Sequence, residues 1–221
     1  VLSNTIAQNP EKVKAGRENP ELKGTHYIWV SAPRAPLPRY DPFGILSGMH
    51  ELTRATSLVR QATLADLDRI IEIERLSFPT PWPREYLAHH LGDDSFIVVE
   101  QDGRVVGYTV IGVKISSFLA RLERRTRALL TGQQPEELPP VGHILNVAVD
   151  PAFRRQGLGQ RLLEYALEYS RRLGASRVEL EVRTGNEAAI ALYQKHGFEI
   201  RELVPCYYSN GEDAFLMVRA V

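Results

Sequence analysis

Six residues, Arg154-Arg155-Gln156-Gly157-Leu158-Gly159, have the types and spacing to hold a phosphate. They come after an apolar run, Ile144-Leu145-Asn146-Val147-Ala148-Val149, that stops at Asp150-Pro151. They also open a segment in which Leu158, Leu162, Ala166, Tyr169 and Leu173 recur at helical spacing. A helix start presents backbone N–H groups with no intrahelical partner and a partial positive charge, so it attracts anions. Gly157 and Gly159 remove the side chains that would keep a phosphate from those amides, and Arg154 and Arg155 offer charge-assisted bonds from the rim. The dinucleotide pattern G-x-G-x-x-G fails here, because arginines stand at its first glycine turn and its third glycine is missing. A Walker loop fails too, having no Gly-Lys-Ser/Thr. A helix start that carries two glycines and binds nothing stays open on these residues alone.

The second candidate chemistry is proton transfer. In Val178-Glu179-Leu180-Glu181-Val182 the strand period puts the apolar residues on one side and both carboxylates on the other. Such a glutamate is either a base or a solvated or salt-bridged strand residue. Tyr193, in Ala191-Leu192-Tyr193 on the next helix, is a phenol donor or a core side chain. No His/Cys/Asp/Glu group has metal-ligand spacing, and His89 and His90 are adjacent on a helix and point apart. The sole cysteine, Cys206, sits in Pro-Cys-Tyr-Tyr, a context that suits packing better than nucleophilic attack. With one cysteine there is no internal disulfide framework, so a reducing, cytoplasmic setting is expected.

Periodicity gives the helices and strands on which these groups sit. Of 221 residues, 43% are hydrophobic and 24% charged, a globular profile. The formal net charge of zero predicts no long-range field for gathering nucleic acid. No apolar run reaches the ~18 residues that span a bilayer, so no membrane association is expected. Residues 1–55 are proline-bearing and aperiodic, and are expected to be a flexible extension holding at most one short strand, Tyr27 to Val30. From residue 56 the pattern predicts a strand at Ser57 to Gln61, then a helix capped by Thr63 with Leu64, Leu67, Ile70, Ile71 and Glu74 on one face. Phe78-Pro79-Thr80-Pro81-Trp82-Pro83 stops it, and a short helix comes next at about Arg84 to Leu91. Two strands joined by Gln101-Asp102-Gly103 come after that. Residues 115–140 form an insertion in which Phe118, Leu119, Leu122, Leu129 and Leu130 alternate with Arg121, Arg124, Arg125 and Arg127, predicting a basic amphipathic helix. The last third reads strand (His143 to Val149), helix (Gly157 to Leu173), strand (Arg177 to Arg183), helix (Glu187 to His196), and strands Phe198 to Tyr207 and Asp213 to Arg219. That order predicts an α/β sheet with parallel pairing at its middle.

Arg154 to Gly159 matches the Q/R-x-x-G-x-G/A signature of GNAT acetyltransferases. Asn146-Val147-Ala148-Val149-Asp150-Pro151, Leu180-Glu181-Val182-Arg183, Asn186 to Tyr193, Gly197-Phe198 and the stretch from Tyr207-Tyr208 to Ala214 resemble protein N-α-acetyltransferases. They are most similar to the ribosomal-protein alanine acetyltransferase (RimI-like) branch and archaeal N-terminal acetyltransferases, over residues 56–221. The resemblance implies a GNAT fold: a mixed central sheet of about seven strands with a splayed parallel pair and helices on both faces. It implies acetyl-CoA as cosubstrate and no metal. Arg154, Arg155, Gln156, Gly157, Leu158 and Gly159 would cradle the pyrophosphate, and the backbone of Asn146, Val147, Ala148 and Val149 would bond the pantetheine. Asn186 would cap its helix and touch coenzyme A. The resemblance makes Glu181 the general base and Tyr193 the donor to the departing thiolate. It gives Phe78 and Trp82, with Tyr207 and Tyr208, to the acceptor side. His143, taken as an edge-strand residue, is either a proton relay or polar surface.

The implied acceptor is a protein N-terminus, ribosomal or nascent, in a ternary complex. A small-molecule amine or a lysine side chain is the alternative, because the same coenzyme site serves many acceptors. Arg121, Arg124, Arg125 and Arg127 are candidates for a ribosome contact, with a solvated amphipathic face as the plainer expectation. A monomer or weak dimer is expected.

Overall fold

A computed structural model of the chain describes residues 57–92, 94–114, 118–132, 134 and 138–221. The expected N-terminal extension and its Tyr27 to Val30 strand lie outside the described residues. Seven strands form one sheet: β1 (Ser57–Gln61), β2 (Phe96–Gln101), β3 (Arg104–Lys114), β4 (Val141–Val149), β5 (Arg177–Arg183), β6 (Glu199–Val204) and β7 (Ala214–Ala220). Their order is β1-β2-β3-β4-β5-β7-β6. The helices are α1 (Leu67–Ser77), α2 (Arg84–His89), α3 (Phe118–Thr131), α4 (Leu158–Arg172) and α5 (Glu187–Lys195).

The expected parallel pair is present. The ladder between β4 and β5 joins Val141 to Arg177 through Ile144 to Leu180. Beyond those four pairs β4 runs on to Val149 and β5 to Arg183. Two compact units divide the described residues: Ile111–Asn146 with Glu164–Val221, and the residues up to Val110 with Val147–Leu163. We call them the C-terminal and N-terminal units.

In the N-terminal unit, β1, β2 and β3 make an antiparallel meander. Its hairpin closes over Asp102 and Gly103, with φ of 50° and 76°. Two consecutive positive φ values give the loop the right-handed twist of the strands it joins, which is why Asp-Gly stands there. Ile97, Val98 and Val99 are fully buried, as are Ile70 and Ile73 of α1 and Leu87 of α2. One expectation fails locally. Thr63 opens a 3-10 turn, Leu64–Asp66, and the α-helix begins only at Leu67. The tighter turn swings Leu64 off the apolar face, leaving it 74% exposed.

Asp66 explains that turn. Its carboxylate accepts from Thr63 N–H at 2.8 Å and from both Arg60 Nη atoms at 2.8 Å each, a bidentate pair. The Arg60 guanidinium and then the Thr63 hydrogen bonds outweigh burial and hold the Asp66 carboxyl at about 2. A depressed folded-state pKa contributes stability that is complete above the unfolded value, near 3.9, and is lost as pH falls through 2. Acid titration of stability should therefore show a loss of order 1–2 kcal/mol between about pH 4 and 2 that disappears in Asp66→Asn. An unchanged acid limb in that variant would remove Asp66 from the account.

In the C-terminal unit, β5 and β7 pair along seven residues and β6 pairs with β7 at the sheet edge. Gly142 of β4 is required by close approach: a Cβ there would meet Ser170 Oγ at 2.4 Å and Ser170 Cβ at 2.7 Å. Strand and helix thus pack on a glycine. α3 forms as expected, with Arg125 and Arg127 exposed. The apolar face read from sequence does not hold at its C-terminal end, however. Ala128 is buried while Leu129 and Leu130 are 85% and 83% exposed, so the inward-facing residue there is Ala128. The side chains of residues 118–124 lie outside the described ones. No helix among the described residues is long and apolar enough to cross a membrane.

Candidate active site

The N-terminal unit carries the loop that joins β4 to α4. Asp150 ends the strand and shapes the turn beyond it. Its N–H donates to Val106 C=O at 2.9 Å, and its Oδ1 accepts from Ala152 N–H at 2.9 Å, capping a 3-10 turn at Pro151–Phe153. Its other oxygen takes a charge-assisted bond from Arg69, whose Nε also donates to Val105 C=O at 3.0 Å. Burial alone would raise the Asp150 carboxyl; the Ala152 amide and the Arg69 guanidinium prevail and hold it below its ordinary value. Sequence pattern marks Asp150-Pro151 only as a strand end, and nothing in the spacing points to Arg69 as the partner.

Two residues of the loop have left-handed backbones, Arg155 at φ 67° and Gly157 at φ 81°. A non-glycine residue held at positive φ is a local strain of the kind found at ligand-binding turns. The space around a Gly157 Cβ is open, so the glycine answers to φ and not to crowding. α4 starts at Leu158, and its first helical bond runs from Arg161 N–H to Gly157 C=O at 3.1 Å. The amides of Leu158 and Gly159 precede that bond, as an anion site needs. The residues fit a pyrophosphate. Arg154, though, turns its guanidinium back, donating from Nε to Val149 C=O at 3.1 Å and from Nη2 to Ser77 Oγ at 3.4 Å. Arg155 and Gln156 are exposed.

The same unit holds Phe78 and Trp82 between α1 and α2. Phe78 is half-buried and Trp82 is 6% exposed. The indole packs edge-on against Tyr86, with centroids 4.6 Å apart, and lies 5.9 Å from the His90 ring. His90 itself is buried, its Nδ1 2.7 Å from Tyr86 C=O.

In the C-terminal unit, His143 Nε2 lies 2.7 Å from Glu181 Oε2. His143 is fully buried, and the Glu181 side chain keeps 13% of its surface exposed. The edge-strand expectation for His143 is thus corrected: β4 lies between β3 and β5. The ladder sets His143 level with Glu179, and the strand period then brings Glu181 to the same face. Glu179 has a different fate. It is buried and ion-paired, to Lys114 Nζ at 2.6 Å and to Arg177 Nε at 2.8 Å. Burial would raise its carboxyl, but Lys114 and Arg177 hold it low.

Asn186 caps α5, its Oδ1 accepting from Ala189 N–H at 3.2 Å. Tyr193 is buried, its ring 5.8 Å from that of Phe198, and desolvation pushes the phenol up to about 12. Asn146 and Ala148 are buried, Val147 and Val149 half-buried. Tyr207 and Tyr208 fall outside a strand, contrary to expectation. Pro205 brings no N–H to a ladder and Cys206 sits at φ 51°, so β6 ends at Val204. Tyr207 is buried, and its ring stands edge-on to Tyr208 at 5.0 Å. The Arg183 guanidinium lies 3.6 Å over the Tyr208 ring and pairs with Glu212. The turn is closed by Asp213 Oδ1, which accepts from Cys206 N–H at 2.8 Å.

A seven-stranded mixed sheet with a short parallel ladder, a glycine-bearing helix start and a strand carboxylate define a class. The family model described as Acetyltransferase (GNAT) family matches residues 67–198, and the chain belongs to that family. It is an acetyl-CoA-dependent acetyltransferase. Among its relatives, an N-alpha-acetyltransferase of Sulfurisphaera tokodaii is 37% identical over 162 residues, spanning 72% of this chain and 90% of the relative. The [ribosomal protein bS18]-alanine N-acetyltransferase of Escherichia coli is 28% identical over 156 residues, 69% and 89% of the two chains. Among solved structures, Ard1 from Thermoplasma volcanium superposes with a TM-score of 0.59 at 28% identity, covering 75% of this chain and 97% of that one.

Proposed function

We propose that this chain transfers the acetyl group of acetyl-CoA to the α-amino group of protein N-termini, by direct attack of the amine in a ternary complex. The observation that carries the mechanism is the Glu181 carboxylate, partly exposed and held at 2.7 Å by a buried histidine. The N-α-acetyltransferase relatives support the acceptor. Acetyl-CoA supplies a thioester carbonyl activated for acyl transfer. The loop from Arg154 to Gly159 binds its pyrophosphate, with Gln156 and Leu158 contributing backbone, and Asn146, Val147, Ala148 and Val149 bond the pantetheine as an added strand. Asn186 adds a contact from its cap.

Glu181 receives the proton the amine must lose as its C–N bond forms. An ionised carboxylate only accepts, so with Glu181 ionised the short contact is a bond donated by His143 Nε2–H, which fixes the orientation of the carboxylate. An α-amine with pKa near 7.7–8.0 is roughly a tenth neutral at pH 7, whereas a lysine near 10.4 is neutral less than one part in a thousand. A single weak base therefore suits an α-amine. As the C–S bond breaks, Tyr193 donates to the sulfur. Phe78 and Trp82 in one unit, and Tyr207 and Tyr208 in the other, are each assigned to acceptor binding.

Mass spectrometry of a peptide library after incubation with enzyme and acetyl-CoA tests the acceptor. Acetylation of α-amines is expected; labelling confined to lysine side chains, or activity on small amines alone, overturns it. A ribosomal contact through Arg121, Arg124, Arg125 and Arg127 is the second part of the proposal, supported by the exposure of Arg125 and Arg127 beside Leu129 and Leu130. Ribosome co-sedimentation that weakens steeply with salt fits it; salt-insensitive or absent association does not.

A further inference from the structure

Glu74 is a charged residue in an interior place, 1% exposed on the face of α1 that also buries Ile70 and Ile71. A buried carboxylate persists only where its oxygens find donors. One donor belongs to the sheet: Tyr108 O–H of β3 donates to Oε2. The other belongs to the loop after α1: Trp82 N–H donates to Oε1 at 2.8 Å. The loop itself, Phe78-Pro79-Thr80-Pro81-Trp82-Pro83, is poor in donors, since its three prolines carry no N–H. Of the three amides it does have, Phe78 N–H donates to the Glu74 backbone carbonyl at 3.0 Å and Trp82 N–H to the Glu74 side chain. One residue therefore holds both ends of the turn, and its second oxygen ties that turn to the sheet.

We propose that Glu74 is a positioning residue for the acceptor: it clamps the turn between Phe78 and Trp82 in its binding shape without touching the reacting atoms. The proposal rests on the reading of this loop as the acceptor side. It assigns Glu74 an effect on acceptor KM that is separate from kcat and from acetyl-CoA affinity. Glu74→Gln keeps the volume and one oxygen for Trp82 N–H, whereas Glu74→Met removes both acceptors.

The test combines two readouts in a Trp29→Phe background, where Trp82 is the only tryptophan, since the chain has two. For Glu74→Met, acrylamide quenching of Trp82 should rise and acceptor KM should increase about tenfold, with acetyl-CoA Kd changed less than about threefold. Glu74→Gln should recover most of both. Trp82 equally shielded in Glu74→Met and the parent, with acceptor KM moved less than about twofold, overturns the clamp. Trp82 exposed with acceptor KM unmoved overturns the acceptor role of the loop, and the proposal with it. If the parent enzyme acetylates no peptide α-amine, the proposed function fails, and the clamp is judged by the same two readouts on whichever amine is acetylated. Should Glu74→Met not fold, Tyr108→Phe removes the sheet-side bond, keeps the Trp82 acceptor and must move both readouts in the same direction; no movement in either overturns the proposal.

Discussion

Glu181→Gln is expected to lower kcat for peptide acetylation by about 10²–10³-fold, with acetyl-CoA Kd changed less than about twofold. The substitution keeps size and strand register, and it keeps a hydrogen-bonding partner for the buried His143 at the 2.7 Å contact. What it removes is the proposed acceptor for the amine proton. In the proposed mechanism the carboxylate takes that proton as the C–N bond forms; in the variant only water or the departing thiolate can. The residual rate should then track the ionisation of the amine alone, rising with an apparent pKa near 7.7–8.0. Steady-state kinetics across pH with titration of acetyl-CoA binding checks both parts. Full turnover in the variant would return Glu181 to the status of a salt-bridged strand residue like Glu179.

Tyr193→Phe is expected to lower kcat by about 10²-fold, again with acetyl-CoA binding retained, and the reason is narrower than simple acid catalysis. Burial pushes the phenol up to about 12, while a free thiol titrates near 8.5. Complete transfer from such a phenol to the thiolate is uphill by roughly 3.5 pKa units, about 5 kcal/mol. The role we propose for Tyr193 is therefore that of a hydrogen-bond donor to the sulfur while the C–S bond breaks, with solvent completing the protonation. The sign of the shift gives a second observable. A raised phenol keeps its proton below about 12 and loses it only above, so the parent pH–rate profile should show no descending limb up to about pH 10 that Tyr193→Phe abolishes. A limb near pH 9–10 removed by the substitution would show the phenol to be the more ordinary acid.

The sheet was largely readable from the chain because its strands are short apolar runs bounded by turn chemistry, Asp102-Gly103 being the clearest. The parallel pair was implied by the strand–helix–strand order around α4. What could not be read were features set by neighbours distant in sequence. Leu64 fits the helical period of α1, yet the Arg60–Asp66 pair tightens the first turn and exposes it. Glu74 fell on the predicted buried face, but its partners are eight residues on and on another strand. His143 was assigned to an edge because strand order, unlike strand position, leaves no mark on a local pattern. Periodicity also says nothing of Leu129 and Leu130, whose exposure depends on which residue of α3 faces inward.

Cys206 has a practical consequence. It is the only cysteine of the chain, a free thiol, exposed, on the turn that carries Tyr207 and Tyr208. A maleimide dye or spin label will therefore attach to the native protein at one known point, with no engineered cysteine and none to delete. That gives a reporter beside two of the residues assigned to the acceptor, able to register peptide binding before any acetyl group moves.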